Sequence, residues 1–103
     1  MLRDSAATYE QRNKVYGDNY KSFGTAMFGL FPNGLKIETT DDWNRLGILV
    51  QMASKLTRYA HQFPNGGHDD SLLDLAVYTT MLRELDAEAA THKRMMEMAR
   101  KLP

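Results

Sequence analysis

The stretch Phe63-Pro64-Asn65-Gly66-Gly67-His68-Asp69-Asp70-Ser71 separates two long helical patterns and decides the fold of this chain. Proline cannot donate the next helical hydrogen bond, and Asn-Gly-Gly readily adopts positive φ, so a helix ends here. Asp69 and Asp70 then complement the positive end of the dipole of a new helix. A connection this short predicts two antiparallel helices that pack as a hairpin.

Apolar residues recur at helical spacing on both sides of this junction. Before it, they predict a helix over about 41–62, and Thr39 or Thr40 is suited to cap it. After it, they predict a helix over about 68–100 that is apolar nearly all round as far as Leu85 and rich in methionine at its end. A helix of that length is longer than the other helices of a three-helix domain could cover. We therefore expect it to bend near Asp86 and its tail to pack on another subunit.

A third pattern precedes these two, with apolar and aromatic residues over about 5–30. Gly17 and Gly24 weaken it, since glycine costs about 1 kcal/mol relative to alanine inside a helix. Phe31-Pro32-Asn33-Gly34 ends it, and residues 35–38 read as a short extended linker. The sequence therefore predicts a single all-α domain over 1–103, a small bundle of three main helices, with oligomerisation completing a core that is small at this length.

Charge and composition exclude several classes of protein. The 103 residues include 13 basic and 13 acidic side chains, so the basic excess that duplex DNA binding usually needs is missing. There is no cysteine, which fits a reducing compartment. No apolar run reaches the roughly 20 residues that span a bilayer. We expect a cytoplasmic protein without membrane or duplex nucleic-acid partners.

Asp70, Asp74 and Tyr78 follow one another at intervals of four residues and share one helix face. Two carboxylates on one face are hard oxygen ligands that suit a divalent cation such as Mg²⁺. The alternative is that Asp70 complements the helix dipole and Asp74 pairs with a basic neighbour. Whether the protein binds a metal ion is therefore left open, and Asp70 and Asp74 are the expected ligands if it does. No catalytic residue is assigned.

Lys55, Arg58 and Tyr59 occupy one side of the 41–62 helix near its end. In an antiparallel hairpin the two cations face Asp70 and Asp74, either as a phosphate or carboxylate clamp or as an interhelical set of salt bridges. Both interpretations remain open.

Gly66-Gly67 before a helix start resembles an anion nest, in which backbone N–H groups point outward. His68 is suited to act there as a ligand, an acid–base group or only a cap.

Three segments occur in a suggestive order: Val15-Tyr16-Gly17-Asp18, then Lys55-Leu56-Thr57-Arg58-Tyr59, then Asp70-Ser71-Leu72-Leu73-Asp74-Leu75-Ala76-Val77-Tyr78. As an ordered set they resemble small phage and prophage proteins related to the MazG-like, all-α nucleoside triphosphate pyrophosphohydrolases and to nucleotide-modification-associated domains. The resemblance covers roughly residues 16–82. It implies a helical bundle that forms a dimer or higher oligomer and holds a nucleotide-like ligand between helices, often across subunits.

Catalytic members of that group carry an ExxE pair on one helix and an ExxD pair on the next, and together these hold magnesium. Here only Asp70 and Asp74 stand at such positions, and no carboxylate occurs between Trp43 and His61. This departure from the family's pattern argues for binding rather than catalysis and for no cofactor, with Mg²⁺ required only by an enzymatic alternative.

We therefore expect a phage-encoded, non-catalytic nucleotide-binding protein that sequesters a nucleotide-derived immune signal in the host cytoplasm, such as a cyclic oligonucleotide or cyclic ADP-ribose. Two alternatives remain: a magnesium-dependent nucleoside triphosphate pyrophosphohydrolase or nucleotide-modification accessory, and a structural or protein-binding module. The expected ligand-binding residues are Tyr16, Asp18, Lys55, Arg58, Tyr59, Gly66, Gly67, His68, Asp70, Asp74 and Tyr78.

Overall fold

The computed structural model of the protein describes residues 19–103. Three α-helices make up most of this part: α1 at Asn19–Leu30, α2 at Thr40–Gln62 and α3 at Asp69–Arg100, with a 3₁₀ turn at Phe63–Asn65. No strand occurs among these residues, and the linker 35–38 pairs with none. The all-α prediction is confirmed for the described part, while residues 5–18 of the first predicted helix lie outside it.

Local chemistry explains where α2 begins. Thr39 is its N-cap, and the backbone N–H of Asp42 donates to Thr39 Oγ1 over 3.0 Å. In return, Asp42 Oδ2 accepts from the backbone N–H groups of Glu38 and Thr39 over 3.1 and 3.2 Å. This reciprocal capping box satisfies donors that would otherwise have no partner within the helix.

α2 is the central helix, and both α1 and α3 pack against it. Three side-chain pairs show that α3 runs antiparallel to α2: Asp41 with His92, Arg45 with Asp86, and Lys55 with Asp74. In this register the start of α2 lies opposite His92. The last eight residues of α3, 93–100, therefore extend beyond α2 by about 12 Å at 1.5 Å per residue.

One face of α3 forms the seam with α2. Its less exposed positions recur at alternating intervals of four and three residues, which is the spacing of coiled-coil packing. They are Ser71, Leu75, Tyr78, Leu82, Leu85 and Ala89. The helix is continuous from Asp69 to Arg100.

Very little of the described chain is fully buried. Ala53 is the buried apolar residue and Ser71 the buried polar one. The Cα radius of gyration is 18.5 Å, against about 13 Å for a compact domain of 100 residues. Many large apolar side chains remain exposed, among them Phe28, Trp43, Phe63, Leu73, Val77, Met95, Met98 and Leu102. The described part is thus an elongated hairpin with a flanking helix.

Candidate functional site

The turn between α2 and α3 is built by two consecutive glycines in the left-handed region. Gly66 has φ of 96° and Gly67 has φ of 95°. The backbone N–H groups of these glycines donate to the carbonyls of Phe63 and Gln62 over 3.2 and 2.9 Å, which closes the end of α2. These two amides therefore point back into the turn, and the nest expected at this place has fewer outward N–H groups than the sequence suggests.

Tyr59 packs against this turn. A Cβ placed on Gly67 would lie 3.0 Å from Cε2 of Tyr59, so any other residue would require the ring to shift by a few tenths of an ångström. The ring also meets Phe63 edge-on, with centroids 6.4 Å apart. Tyr59, proposed from the sequence as a ligand-binding residue, thus takes part in holding the hairpin closed.

The structure brings Lys55 and Asp74 into direct contact. Lys55 Nζ lies 3.0 Å from Asp74 Oδ2. Only 15% of the Lys55 side chain is exposed, compared with 50% of Asp74. The lysine stem is therefore covered along the seam while the carboxylate stays open to solvent. This contact places the end of α2 beside the first two turns of α3.

The other expected site residues lie around this pair. Arg58 is half-buried, one turn beyond Lys55 on α2. On α3, Asp70 is exposed and Tyr78 is half-buried within the seam. Tyr16 and Asp18 lie outside the described residues. Within residues 19–103 no three His, Asp or Glu side chains come close enough together to hold a metal ion.

His68 and Ser71 form a pair that the sequence did not reveal. His68 Nδ1 lies 2.6 Å from Ser71 Oγ, and the direction of this hydrogen bond depends on which ring nitrogen carries the proton. The sequence did contain one signal for this pair. Ser71 follows His68 by three residues at a helix start, and the two residues of a capping box have the same spacing. Ser71 is 1% exposed, so its hydroxyl is closed to a substrate and the pair holds the start of α3.

A second polar cluster lies at the opposite end of the hairpin. His92 Nδ1 lies 2.9 Å from Asp41 Oδ2, and Arg45 Nε donates to Asp86 Oδ1 over 2.8 Å. These pairs border an open hollow of about 520 Å³ between the start of α2 and the second half of α3, which Lys93 also lines. Sequence reasoning did not single out these residues, since their pairing depends on the register between the two helices.

Comparison of the chain with family models, with characterised proteins and with solved structures finds no match. None of the described helices combines the length and the apolar composition needed to cross a membrane.

Proposed function

We propose that this protein binds a phosphate-bearing small molecule of the nucleotide class without turning it over. The observation that carries the proposal is the position of Lys55 and Arg58, which lie on α2 at the same end of the hairpin as the start of α3. Ammonium and guanidinium groups suit phosphate oxygens, and a helix start favours an anion. Phosphate would compete with Asp74 for Lys55.

The arrangement of charges favours binding over magnesium-dependent hydrolysis. Asp74 is one of the two carboxylates that a metal site would need, and the ammonium of Lys55 lies 3.0 Å from it. A cation already in contact with a carboxylate opposes the approach of a second one. The site is therefore better suited to hold a ligand anion than a divalent metal.

The finer proposal comes from the resemblance to phage proteins related to the MazG-like group. On that basis the ligand is a nucleotide-derived immune signal, of the cyclic oligonucleotide or cyclic ADP-ribose type. The protein would sequester this signal in the host cytoplasm and so counter antiviral defence. Sequestration requires tight and enclosed binding, which a site closed by a second subunit would supply.

Calorimetric titration with a cyclic dinucleotide and with cyclic ADP-ribose tests the proposal. We expect one of them to bind and to be recovered unaltered, by mass spectrometry, after heat release. Arg58→Gln should weaken that binding by at least about tenfold, the loss of one charge-assisted contact. Lys36→Met, which removes an exposed cation elsewhere, is the matched control and should change nothing. Binding of neither compound, or recovery of a changed molecule, would contradict the proposal.

A structural role for the same residues is the second candidate, and the 3.0 Å contact between Lys55 and Asp74 favours it. In that case a double-mutant cycle of Lys55→Met and Asp74→Asn should give a coupling of up to about 1 kcal/mol in the unfolding free energy. No nucleotide should then bind. Loss of ligand affinity in Lys55→Met with an unchanged unfolding free energy would exclude this role.

A further inference from the structure

The open hollow between the start of α2 and the second half of α3 has the size of a site for a small organic molecule. Its volume is about 520 Å³, and such sites span roughly 300–1,000 Å³. His92, which lines it, follows Asp74 by 18 residues on α3. The hollow thus lies about 27 Å along α3 from the contact between Lys55 and Asp74, and it is separate from the proposed nucleotide site.

The α3 wall of the hollow carries two cations. Lys93, Met96 and Arg100 follow Ala89 at intervals of four, three and four residues, which keeps all of them on the side of α3 that lines the hollow. Lys93 and Arg100 are two turns apart, about 10 Å along the helix axis. Within residues 19–103 neither of these cationic side chains makes an ion pair or a hydrogen bond.

The three carboxylates that line the hollow, in contrast, already have partners. Asp41 Oδ2 lies 2.9 Å from His92 Nδ1, and Asp86 Oδ1 accepts from Arg45 over 2.8 Å. Asp42 Oδ2 accepts from two backbone N–H groups at the start of α2. The cations of the α3 wall are therefore the groups of the hollow that remain available to a ligand, and they favour an anion.

The surface between the two cations is apolar. Met96 lies between Lys93 and Arg100 along the helix, and Ala89 and Ala90 continue the apolar lining toward the middle of α3. A methionine side chain adapts its shape to an apolar neighbour, and alanine leaves room for one. The wall thus offers a cation, an apolar surface and a second cation in that order.

We propose that this hollow binds an aliphatic dicarboxylate, an organic dianion whose two acidic groups are separated by an apolar chain. One carboxylate contacts the ammonium of Lys93 and the other the guanidinium of Arg100, while the chain between them packs on Met96. Each carboxylate brings one negative charge to one cation. A doubly charged phosphate group would bring more negative charge close to Asp41 and Asp42 and is therefore less well matched.

A series of acids of different length and charge tests this site. Octanedioate is the probe, because its carboxylates are about 10 Å apart when the chain is extended. At low salt we expect it to shift the nuclear magnetic resonance signals of backbone amides in residues 89–100. Its affinity should exceed that of octanoate, which has one carboxylate, and of butanedioate, which is too short to contact both cations, by at least about fivefold.

Substitutions on α3 give the second measurement. Lys93→Met and Arg100→Met should each lower the affinity for octanedioate by at least about fivefold. Arg94→Met is the matched control, because Arg94 is the next residue of the same helix but donates to Thr91 over 3.2 Å and does not line the hollow. It should change the affinity less than twofold, and thermal unfolding checks that all three variants stay folded.

Three results would overturn the proposal, whatever the chain does with nucleotides. The first is that octanedioate does not bind. The second is that it binds no more tightly than octanoate. The third is that Arg94→Met lowers its affinity as much as Lys93→Met does, which would mean that the helix end attracts anions only through its overall charge.

Discussion

Because Gly67 has no side chain, the turn after α2 can pack directly against the ring of Tyr59. Its neighbour Gly66 has almost the same positive φ, but a Cβ on Gly66 would meet nothing within 4 Å, whereas one on Gly67 would lie 3.0 Å from the Tyr59 ring. The two glycines therefore separate two physical effects, the cost of a left-handed backbone and the cost of a close contact. Each effect is open to measurement.

We expect Gly67→Ala to lower the free energy of unfolding by more than Gly66→Ala does. Each alanine must adopt a left-handed conformation at a cost of about 1–2 kcal/mol, and at Gly67 the Tyr59 ring must also shift. Urea unfolding followed by circular dichroism compares the two variants. Equal losses would show that the ring moves aside without cost.

Asp42 makes the start of α2 sensitive to pH. The backbone N–H groups of Glu38 and Thr39, which donate to its carboxylate, hold the pKa of Asp42 below its ordinary value of 3.8. The ionised form is therefore preferred in the folded chain. Its contribution to stability is present above pH 3.8 and is lost as the pH falls through the lower folded pKa.

Asp42→Asn should accordingly destabilise the chain at about pH 6 and have almost no effect at about pH 2. Thr39→Ala should cost about 1 kcal/mol near pH 6 and less near pH 2, because the Thr39 hydroxyl also helps to hold the pKa of Asp42 down. Denaturant midpoints of the parent chain and of both variants, measured between about pH 2 and pH 6, test this prediction. An Asp42→Asn effect of constant size would contradict the assigned cause.

At the scale of the elements, the contact between α2 and α3 depends on a narrow seam. Ala53 is the buried residue of α2, and Ser71 is the buried residue of α3. Both are small, which favours a close approach of the two helices. The seam thus positions Lys55 beside Asp74.

Ala53→Leu should destabilise the chain by about 1–3 kcal/mol, because a larger side chain has no space in this seam. Ala60→Leu on the exposed side of the same helix is the control and should stay within about 0.5 kcal/mol of the parent. Chemical denaturation measures both. A neutral Ala53→Leu would mean that the helices are not in close contact at this position.

At the scale of the whole molecule, the described part has few buried residues. A protein of this length is expected to bury roughly two thirds of its unfolded surface, yet the Cα atoms are spread over 67 × 30 × 27 Å. The exposed apolar residues fall into groups, along α3 and around α1. Grouped apolar surface of this kind is typical of surfaces that other parts of a protein or other molecules cover.

The ends of α2 and α3, and the all-α class, followed from the sequence. Proline, glycine and capping residues act within a few positions of themselves, so Pro64, Gly66, Thr39 and the Asp69–Asp70 pair mark helix ends in any context. The candidate site was predictable only to the extent that a short turn forces the end of α2 to lie beside the start of α3.

The tertiary structure decided how those helices meet. The pairs Asp41–His92 and Arg45–Asp86, the burial of Ser71 and the extension of α3 beyond α2 all depend on the register between two helices. The first two of these pairs join side chains that are 51 and 41 residues apart in the sequence. Local propensity carries no information about contacts over such separations, because they form only once the two helices are packed together.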